Sequence, residues 1–456
     1  MWYAIYNVLL VFASLVILLI LLSKQRCRRG LPQRLGCLPQ DRPGTLDTRP
    51  VIWVHAVSLG EVIAAVPLVR ELHGQEPGYR IIVTTVTETG REAVEQRLAG
   101  VAEHRYAPLD FPWVVSAFIS RLNPVLYLFV ETEIWPNLLR ALAKRGVPSL
   151  LVNGRLSSRS FRGYRLIQAL IGPALREVTY CLMQSGRDAE RIRALGAVPE
   201  RVMRTGNIKF DQPLPSHPHE ESLSRNMLLA PGEELIVAGS THPGEEEQII
   251  ACYARLQRDF PSLVLLLAPR HIERASQVQA TIESQGLTAI RRSELKRSAG
   301  MAGKPGEPRV VVLDTRGELA SVYREAVLSF VGGTLAPIGG HNVLEPAAWG
   351  VPVFFGPHTD HCAEMAQLLL AAGGARRIAG IEDMTAAMAS LLCDPHARRA
   401  MGLSARQVVL DNRGALDQTL GVIANVLHGA SSQKTETCHD GRAARRAGGA
   451  MDSLAH

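Results

Sequence analysis

Short apolar runs that end in polar clusters alternate along this chain with longer stretches of helical periodicity. That alternation predicts βαβ units and parallel sheets rather than hairpins or a helical bundle. The runs read as strands are Val51 to Val54, Arg80 to Thr84, Val125 to Val130, Ser149 to Val152, Tyr180 to Met183 and Val202 to Thr205. Helices such as Val62 to Leu72, Arg91 to Leu98 and Asn137 to Lys144 lie between them, with Pro67 predicting a kink or a later start in the first. The alternation resumes at Leu235 to Ala238, Leu263 to Leu267, Val310 to Leu313, Val327 to Val331 and Val351 to Phe355.

A chain of 456 residues is too long for one ordinary core and suits two domains. The expected fold class is α/β, with two Rossmann-like domains at 51–211 and 232–428. The Pro-rich, polar stretch 212–231 reads as the linker. Residues 429–456 lose apolar content and are expected to be disordered.

Ahead of the first domain, Trp2 to Leu22 is an uncharged apolar run, and about 20 helical residues cross the ~30 Å hydrocarbon core of a bilayer. Residues 1–23 therefore read as a transmembrane anchor and 24–50 as a basic juxtamembrane connector. Lys24, Arg26, Arg28, Arg29 and Arg34 follow the run and no basic residue precedes it. The positive-inside rule then expects a single pass, with the body in the cytoplasm and the N-terminus outward. A cleaved signal peptide would carry its charges before the run and small residues after it. A helix lying in the interface is a further alternative, because the aromatic residues Trp2, Tyr3 and Tyr6 stand at one end only.

Seven scattered cysteines without a CxxC pair, and no Cys/His clustering, predict a reducing compartment and no metal. A net charge of +7 without an aromatic and basic stripe argues against nucleic acid and for anionic lipid or small phosphorylated ligands.

Parallel sheets bind ligands beyond the carboxyl ends of their strands, and polar residues gather there in both halves, toward what reads as one cleft. After the first-half strands come His55 to Glu61, Thr84 to Gly90, Glu131-Thr132-Glu133, Asn153-Gly154-Arg155 and Gly206 to Lys209. After those of the second come Gly239 to His242, Pro269-Arg270-His271, Asp314 to Glu318 and the glycine-rich Gly332 to Asn342.

The stretch Gly332 to Gly350 (GGTLAPIGGHNVLEPAAWG) is a glycine loop that opens a short helix near Asn342, suited to a phosphate. Glu345 can accept the hydroxyls of a ribose, or it can simply complement the helix dipole. Arg270 can fork two phosphate oxygens. No DxD triplet offers a divalent cation a seat, so leaving-group charge falls to Arg, Lys and helix dipoles. Glu61 can serve as a general base if burial lifts its pKa, or it is an ordinary helix-start residue. Glu131, Glu133 and Lys209 share its strand-end placement and its ambiguity.

These motifs resemble the 3-deoxy-D-manno-octulosonic acid (Kdo) transferases of Gram-negative bacteria. The carrying segments are HAVSLGEV (55–62), VTTVTETG (83–90), ETEIWPN (131–137), NGRLSSRS (153–160), TGNIKFD (205–211), GSTHPGEEE (239–247), APRHIER (268–274), DTRGEL (314–319), FVGGT (330–334) and GGHNVLEPA (339–347).

The resemblance implies an inverting, metal-independent GT-B enzyme at the inner membrane that moves Kdo from CMP-Kdo to a hydroxyl of the lipid A precursor, with no cofactor. It implies Glu61 as general base, with Glu131 and Lys209 assisting. It implies a CMP site made by Pro269, Arg270, Arg316, Gly317, Glu318, Asn342, Val343, Leu344 and Glu345. Arg316 departs from the apolar residue expected at its position, which leaves a backbone contact as an alternative to a side-chain role. Two other classes share part of the pattern: a sugar-nucleotide epimerase, which has no need of an anchor, and a noncatalytic lipid-binding protein, which has no need of the convergent Glu, Lys and Arg.

Overall fold

The computed structural model of the protein describes residues 2–23, 30–38, 47–211, 229–295 and 307–429, with side chains of the first segment described to Ala13. The expected linker, but for its last residues 229–231, and the expected tail beyond residue 429 lie outside the described residues.

Two compact units divide the chain: residues up to Gln212 together with those from Arg413, and Pro213–Asn412. The first holds a seven-stranded sheet built from β1 (Val51–His55), β2 (Arg80–Thr85), β3 (Glu103–Tyr106), β4 (Pro124–Val130), β5 (Ser149–Gly154), β6 (Tyr180–Met183) and β7 (Val202–Arg204). Their order is β3-β2-β1-β4-β5-β6-β7, and every pairing is parallel. Helices cover both faces, which is why the central strands read as unbroken apolar runs. Trp53, Phe118, Tyr127 and Phe129 pack in one layer, and Ile52, Val54, Leu126 and Leu128 in the other.

The second unit repeats the plan with β8 (Glu234–Thr241), β9 (Leu263–Pro269), β10 (Thr288–Arg291), β11 (Arg309–Val312), β12 (Ala326–Val331), β13 (Val353–Phe355) and β14 (Ala375–Arg377). The order is β10-β11-β9-β8-β12-β13-β14, again all parallel. The strands absent from the sequence reading, β3, β10 and β14, are all at sheet edges. Only part of an edge strand is covered, so EHRY, TAIR and ARR carry polar residues and no apolar run.

Two expectations are corrected. The second domain does not continue to 428: a helix at 415–429 buries Leu416, Leu420, Ile423 and Leu427 in the core layer of the first unit that also holds Ile52, Val54, Leu126 and Leu128. Asp211 accepts from the backbone N–H of Gly414 and Leu416 at 2.6 and 2.7 Å, fixing that return. Nor does Pro67 delay its helix, which runs Leu59–Gln75. The lost hydrogen bond costs about 3 kcal/mol, and burial of Val62, Ala65, Leu68, Val69 and Leu72 offsets it at roughly 1.5–3 kcal/mol for each large side chain.

The N-terminal run forms one helix, Trp2–Ser23. Among the described residues no helix is long and apolar enough to cross a membrane. Its first turns are held to the first unit. Tyr6 OH donates to Asp110 Oδ2 at 2.9 Å, Asn137 Nδ2 to Asn7 Oδ1 at 2.6 Å, and the Arg140 guanidinium sits 4.5 Å above the Tyr3 ring. Arg34, grouped with the juxtamembrane charges in the sequence, is instead buried, donating to the Val86 carbonyl at 2.6 Å and lying 4.5 Å over the Tyr106 ring.

Candidate active site

In the first unit the turn after β1 leads straight into the helix Leu59–Gln75, and Glu61 stands in its first turn. The carboxylate folds back on the turn, accepting from Val57 N–H at 2.7 Å and Ser58 Oγ at 3.2 Å. Burial pushes its pKa up from 4.5 to about 7; the Val57 hydrogen bond opposes this, and the charges of Glu133 and Glu131 add to it. A carboxyl poised there is able to accept a proton near neutral pH.

Glu131 follows β4 with φ of 61°, in the left-handed region, where a residue with a side chain carries about 1–3 kcal/mol of strain. Lys209 Nζ approaches its Oε1 at 3.6 Å, both side chains being about four-fifths covered. Glu133, whose pKa burial also raises, accepts from Trp135 Nε1 at 3.1 Å. Asn153 fixes the Lys209 turn by accepting from Ile208 N–H at 3.1 Å. Glu61, the Glu131-Thr132-Glu133 turn and Lys209 thus come from three chain segments to the carboxyl edge of the first sheet.

At the matching edge of the second unit, Pro269 ends β9 and Arg270 follows, its backbone N–H on the Thr241 carbonyl at 3.0 Å. The Arg270 side chain is exposed, and its charge acts on His341, His242 and Glu345. The glycine loop after β12 passes so close to β8 that a Cβ on Gly332 would collide with the Ser240 carbonyl oxygen. Gly333 holds φ of 70°. The helix the loop opens is Leu344–Ala348, capped by Asn342 Oδ1, which accepts from Leu344 N–H at 3.1 Å. Asn342 Nδ2 donates to Glu345 Oε1 at 3.1 Å, and burial raises the Glu345 pKa.

The sequence relatives decide between the classes that share this frame. A family model described as 3-deoxy-D-manno-octulosonic-acid transferase (Kdotransferase) matches residues 29–212. The 3-deoxy-D-manno-octulosonic acid transferase of Haemophilus influenzae is 34% identical over 93% of this chain and 98% of its own length. The chain belongs to the Kdo transferases. It is a glycosyltransferase that handles Kdo in lipopolysaccharide biosynthesis. Solved structures give the fold alone: a UDP-GlcNAc 2-epimerase of Neisseria meningitidis is 11% identical with a TM-score of 0.53, covering 82% of this chain and 100% of its own. MurG of Acinetobacter baumannii is 12% identical with a TM-score of 0.51, covering 83% of this chain and 99% of its own. Epimerases and glycosyltransferases share the two-sheet frame, so sequence similarity, not fold, carries the assignment.

Within this Kdo transferase frame, not every expected donor residue offers its side chain. Arg316 is 78% exposed and pairs with the equally open Glu273 at 3.1 Å, a surface contact weak enough that both its side chain and the Arg316-Gly317 backbone stay open to a ligand. Glu318 is occupied as well: Arg292 grips it through Nη2 at 2.8 Å and Nε at 3.1 Å, and Thr315 donates to it. Val343 and Leu344 are buried and offer backbone only.

The sequence reading assigned no role to Glu245, which lies inside the quoted motif GSTHPGEEE. Fully buried, its carboxylate accepts from the backbone N–H of His242, Gly333, Thr334, Leu335 and Ala336 at 2.7–3.1 Å. The loop amides from Gly333 to Ala336 are therefore filled from within, and the loop is locked to the turn that follows β8. Gly340 N–H is also engaged, donating to the Gly333 carbonyl at 2.7 Å, which leaves the exposed Arg270 side chain as the group placed to meet an anion here. Beside it His242 and His341 share a hydrogen bond, Nε2 to Nε2 at 2.8 Å, with stacked rings. Burial, with the Arg270 charge, lowers the His341 pKa to about 4, so at neutral pH one imidazole donates and the other accepts.

Proposed function

We propose that the chain transfers Kdo from CMP-Kdo to a hydroxyl of the lipid A precursor by a single inverting displacement with no metal. The observation that carries this reading is Glu61, a half-buried carboxyl raised to about 7 among two further carboxylates and a lysine. The acceptor oxygen attacks the anomeric carbon as the bond to the CMP phosphate breaks, and Glu61 takes the hydroxyl proton. Lys209, close to Glu131, supplies positive charge where the sugar-phosphate bond separates charge.

Donor binding falls to the second unit: Arg270 for phosphate, the Arg316-Gly317 backbone and the Pro269 edge for the nucleoside, Glu345 for the ribose hydroxyls. We propose further that the helix Trp2–Ser23 attaches the enzyme to the cytoplasmic face of the inner membrane, where that acceptor resides.

Incubation with CMP-Kdo and a detergent-dispersed lipid A precursor tests the reading. Mass spectrometry of the lipid should show added Kdo, and the number of increments gives the number of residues transferred. Sugar rearrangement without transfer, or binding without turnover, refutes it.

A further inference from the structure

Four histidines gather at the carboxyl edge of the second sheet, and no step proposed above uses them. His242 follows β8, His271 follows β9, and His341 and His361 flank β13 in the chain. They pack closely on the loop after β12: a Cβ on Gly333 would stand 2.9 Å from the His341 ring, and one on Gly339 would stand 2.9 Å from His361 Nδ1. The His271 ring meets the His242 ring edge-on, with centroids 5.9 Å apart.

At the centre is the pair of His242 and His341, Nε2 to Nε2 at 2.8 Å with rings 2° from parallel. Among the described residues neither Nδ1 finds a hydrogen-bond partner, and neither is sealed from solvent. One hydrogen shared between the Nε2 atoms fixes the tautomers in opposite senses. The ring that donates has a bare Nδ1, and the ring that accepts carries Nδ1–H. An added proton goes to the bare Nδ1, and the pair then holds a positive charge and an Nδ1–H on each ring. In that form it can bind a carboxylate through charge-assisted hydrogen bonds.

Its surroundings keep the pair uncharged until an anion arrives. Burial lowers both pKa values, His341 to about 4, and the charge of Arg270 and the neighbouring His271 act in the same direction on both, with His361 adding to the effect on His341. Glu245 and Glu246 oppose this at His242, but the first is engaged by five backbone N–H groups and the second by Arg274. Among the described residues Arg270 has no ion pair, whereas Arg274 and Arg292 are held by Glu246 and Glu318. The donor proposed above brings two anions, its phosphodiester and the carboxylate of its sugar. Arg270 matches the first.

We infer that the His242–His341 pair receives the carboxylate of the donor sugar and takes up a proton as it does so, so that donor binding is proton-linked and selects an acidic sugar. This rests on the donor reading of the second unit. A close opposite charge raises a pKa by about 1–3 units, enough to carry His341 from about 4 to about 6 or above. A sugar nucleotide without an acid group leaves the pair uncharged and gains no such contact.

Calorimetric titration of the full chain with CMP-Kdo at about pH 5.5, without acceptor and in buffers of contrasting ionisation enthalpy, counts the protons. Neither donor anion titrates there, and Glu61, at about 7, is already protonated. The parent should take up at least about half a proton, and its dissociation constant should rise by nearly tenfold per pH unit between about pH 4 and 6. CMP methyl ester, a phosphodiester without the carboxylate, should bind the parent with no uptake, a comparison that needs no variant. His341→Asn should bind CMP-Kdo more weakly, with no uptake. Binding of CMP-Kdo by the parent without uptake overturns the inference and leaves the donor reading standing. Uptake that persists in His341→Asn puts the proton on another group, such as Glu345 or His271, and uptake with the methyl ester ties it to the phosphate; either result overturns the inference. A chain that binds no CMP-Kdo overturns the donor reading as well.

Discussion

Lys209 Nζ stands 3.6 Å from Glu131 Oε1, and Glu131 is one of the two carboxylates whose charge raises the Glu61 pKa. The lysine therefore screens the proposed base from a neighbour that would otherwise hold its proton more tightly. Lys209→Met removes that screening. The acid limb of the kcat–pH profile should move above the parent's position near pH 7, in addition to any loss of maximal rate. An acid limb that stays in place, with only the rate reduced, would mean that Lys209 acts on the leaving group and not on Glu61.

Glu345 is held by Asn342 rather than by the first-turn amides of its helix, and Asn342 is what caps that helix. The helix-dipole role raised by the sequence needs no bond to those amides, so substitution has to separate it from ligand binding. Glu345→Ala should cost donor binding about 1.5–3 kcal/mol, a rise in the KM for CMP-Kdo of roughly ten- to a hundredfold. A KM that does not move, with Tm lowered instead, would establish the helix-dipole role.

Glu245 makes a different prediction, because its partners are backbone rather than ligand. Glu245→Gln turns an amide N–H2 toward N–H donors of the Gly333 to Ala336 turn and breaks charge-assisted bonds worth about 1.5–3 kcal/mol each. Thermal stability should fall by at least about 3 kcal/mol, and the KM for CMP-Kdo should rise with it as the loop loosens. Intact stability would show that the loop holds its shape without the carboxylate.

The strand-end clusters were legible because a parallel sheet forces them: a buried apolar run has to stop where a ligand edge begins, and Val54-His55 or Ala268-Pro269-Arg270 mark the stop in plain sequence. What the sequence left undecided were contacts between distant segments. Glu245 reads as one of three consecutive glutamates, and only folding shows that it alone enters the turn after β12 while Glu246 pairs with Arg274 at 2.8 Å. Arg316 and Glu318 look equivalent in DTRGEL, yet one side chain is exposed and the other is taken by Arg292. The return of residues 413–428 to the first unit was hidden for the same reason: Leu416, Leu420 and Ile423 have helical spacing, and periodicity names no partner.

Glu61 carries the decisive prediction, since a hydroxyl is nearly unreactive until a base accepts its proton during attack. Glu61→Gln keeps the size of the side chain and an acceptor for Val57 N–H, and removes the base. General-base assistance is worth about 10² to 10⁴ in rate, so kcat should fall by that order while the KM for CMP-Kdo holds, the pattern of an interaction made in the transition state. Stability gives an independent reading. Because the folded value, about 7, lies above the unfolded 4.5, Glu61 contributes a stability that is complete below about pH 4.5 and lost as pH rises through 7. The Gln variant lacks that loss, so near pH 8 it should be more stable relative to the parent than at pH 4, by about 1–3 kcal/mol once solvent screening is allowed for. Urea melts at the two pH values measure the difference. A variant that turns over within about tenfold of the parent and shows no pH-dependent gain would leave Glu61 a helix-start residue. Glu133, buried and raised in pKa at the same edge, would then be the base to test.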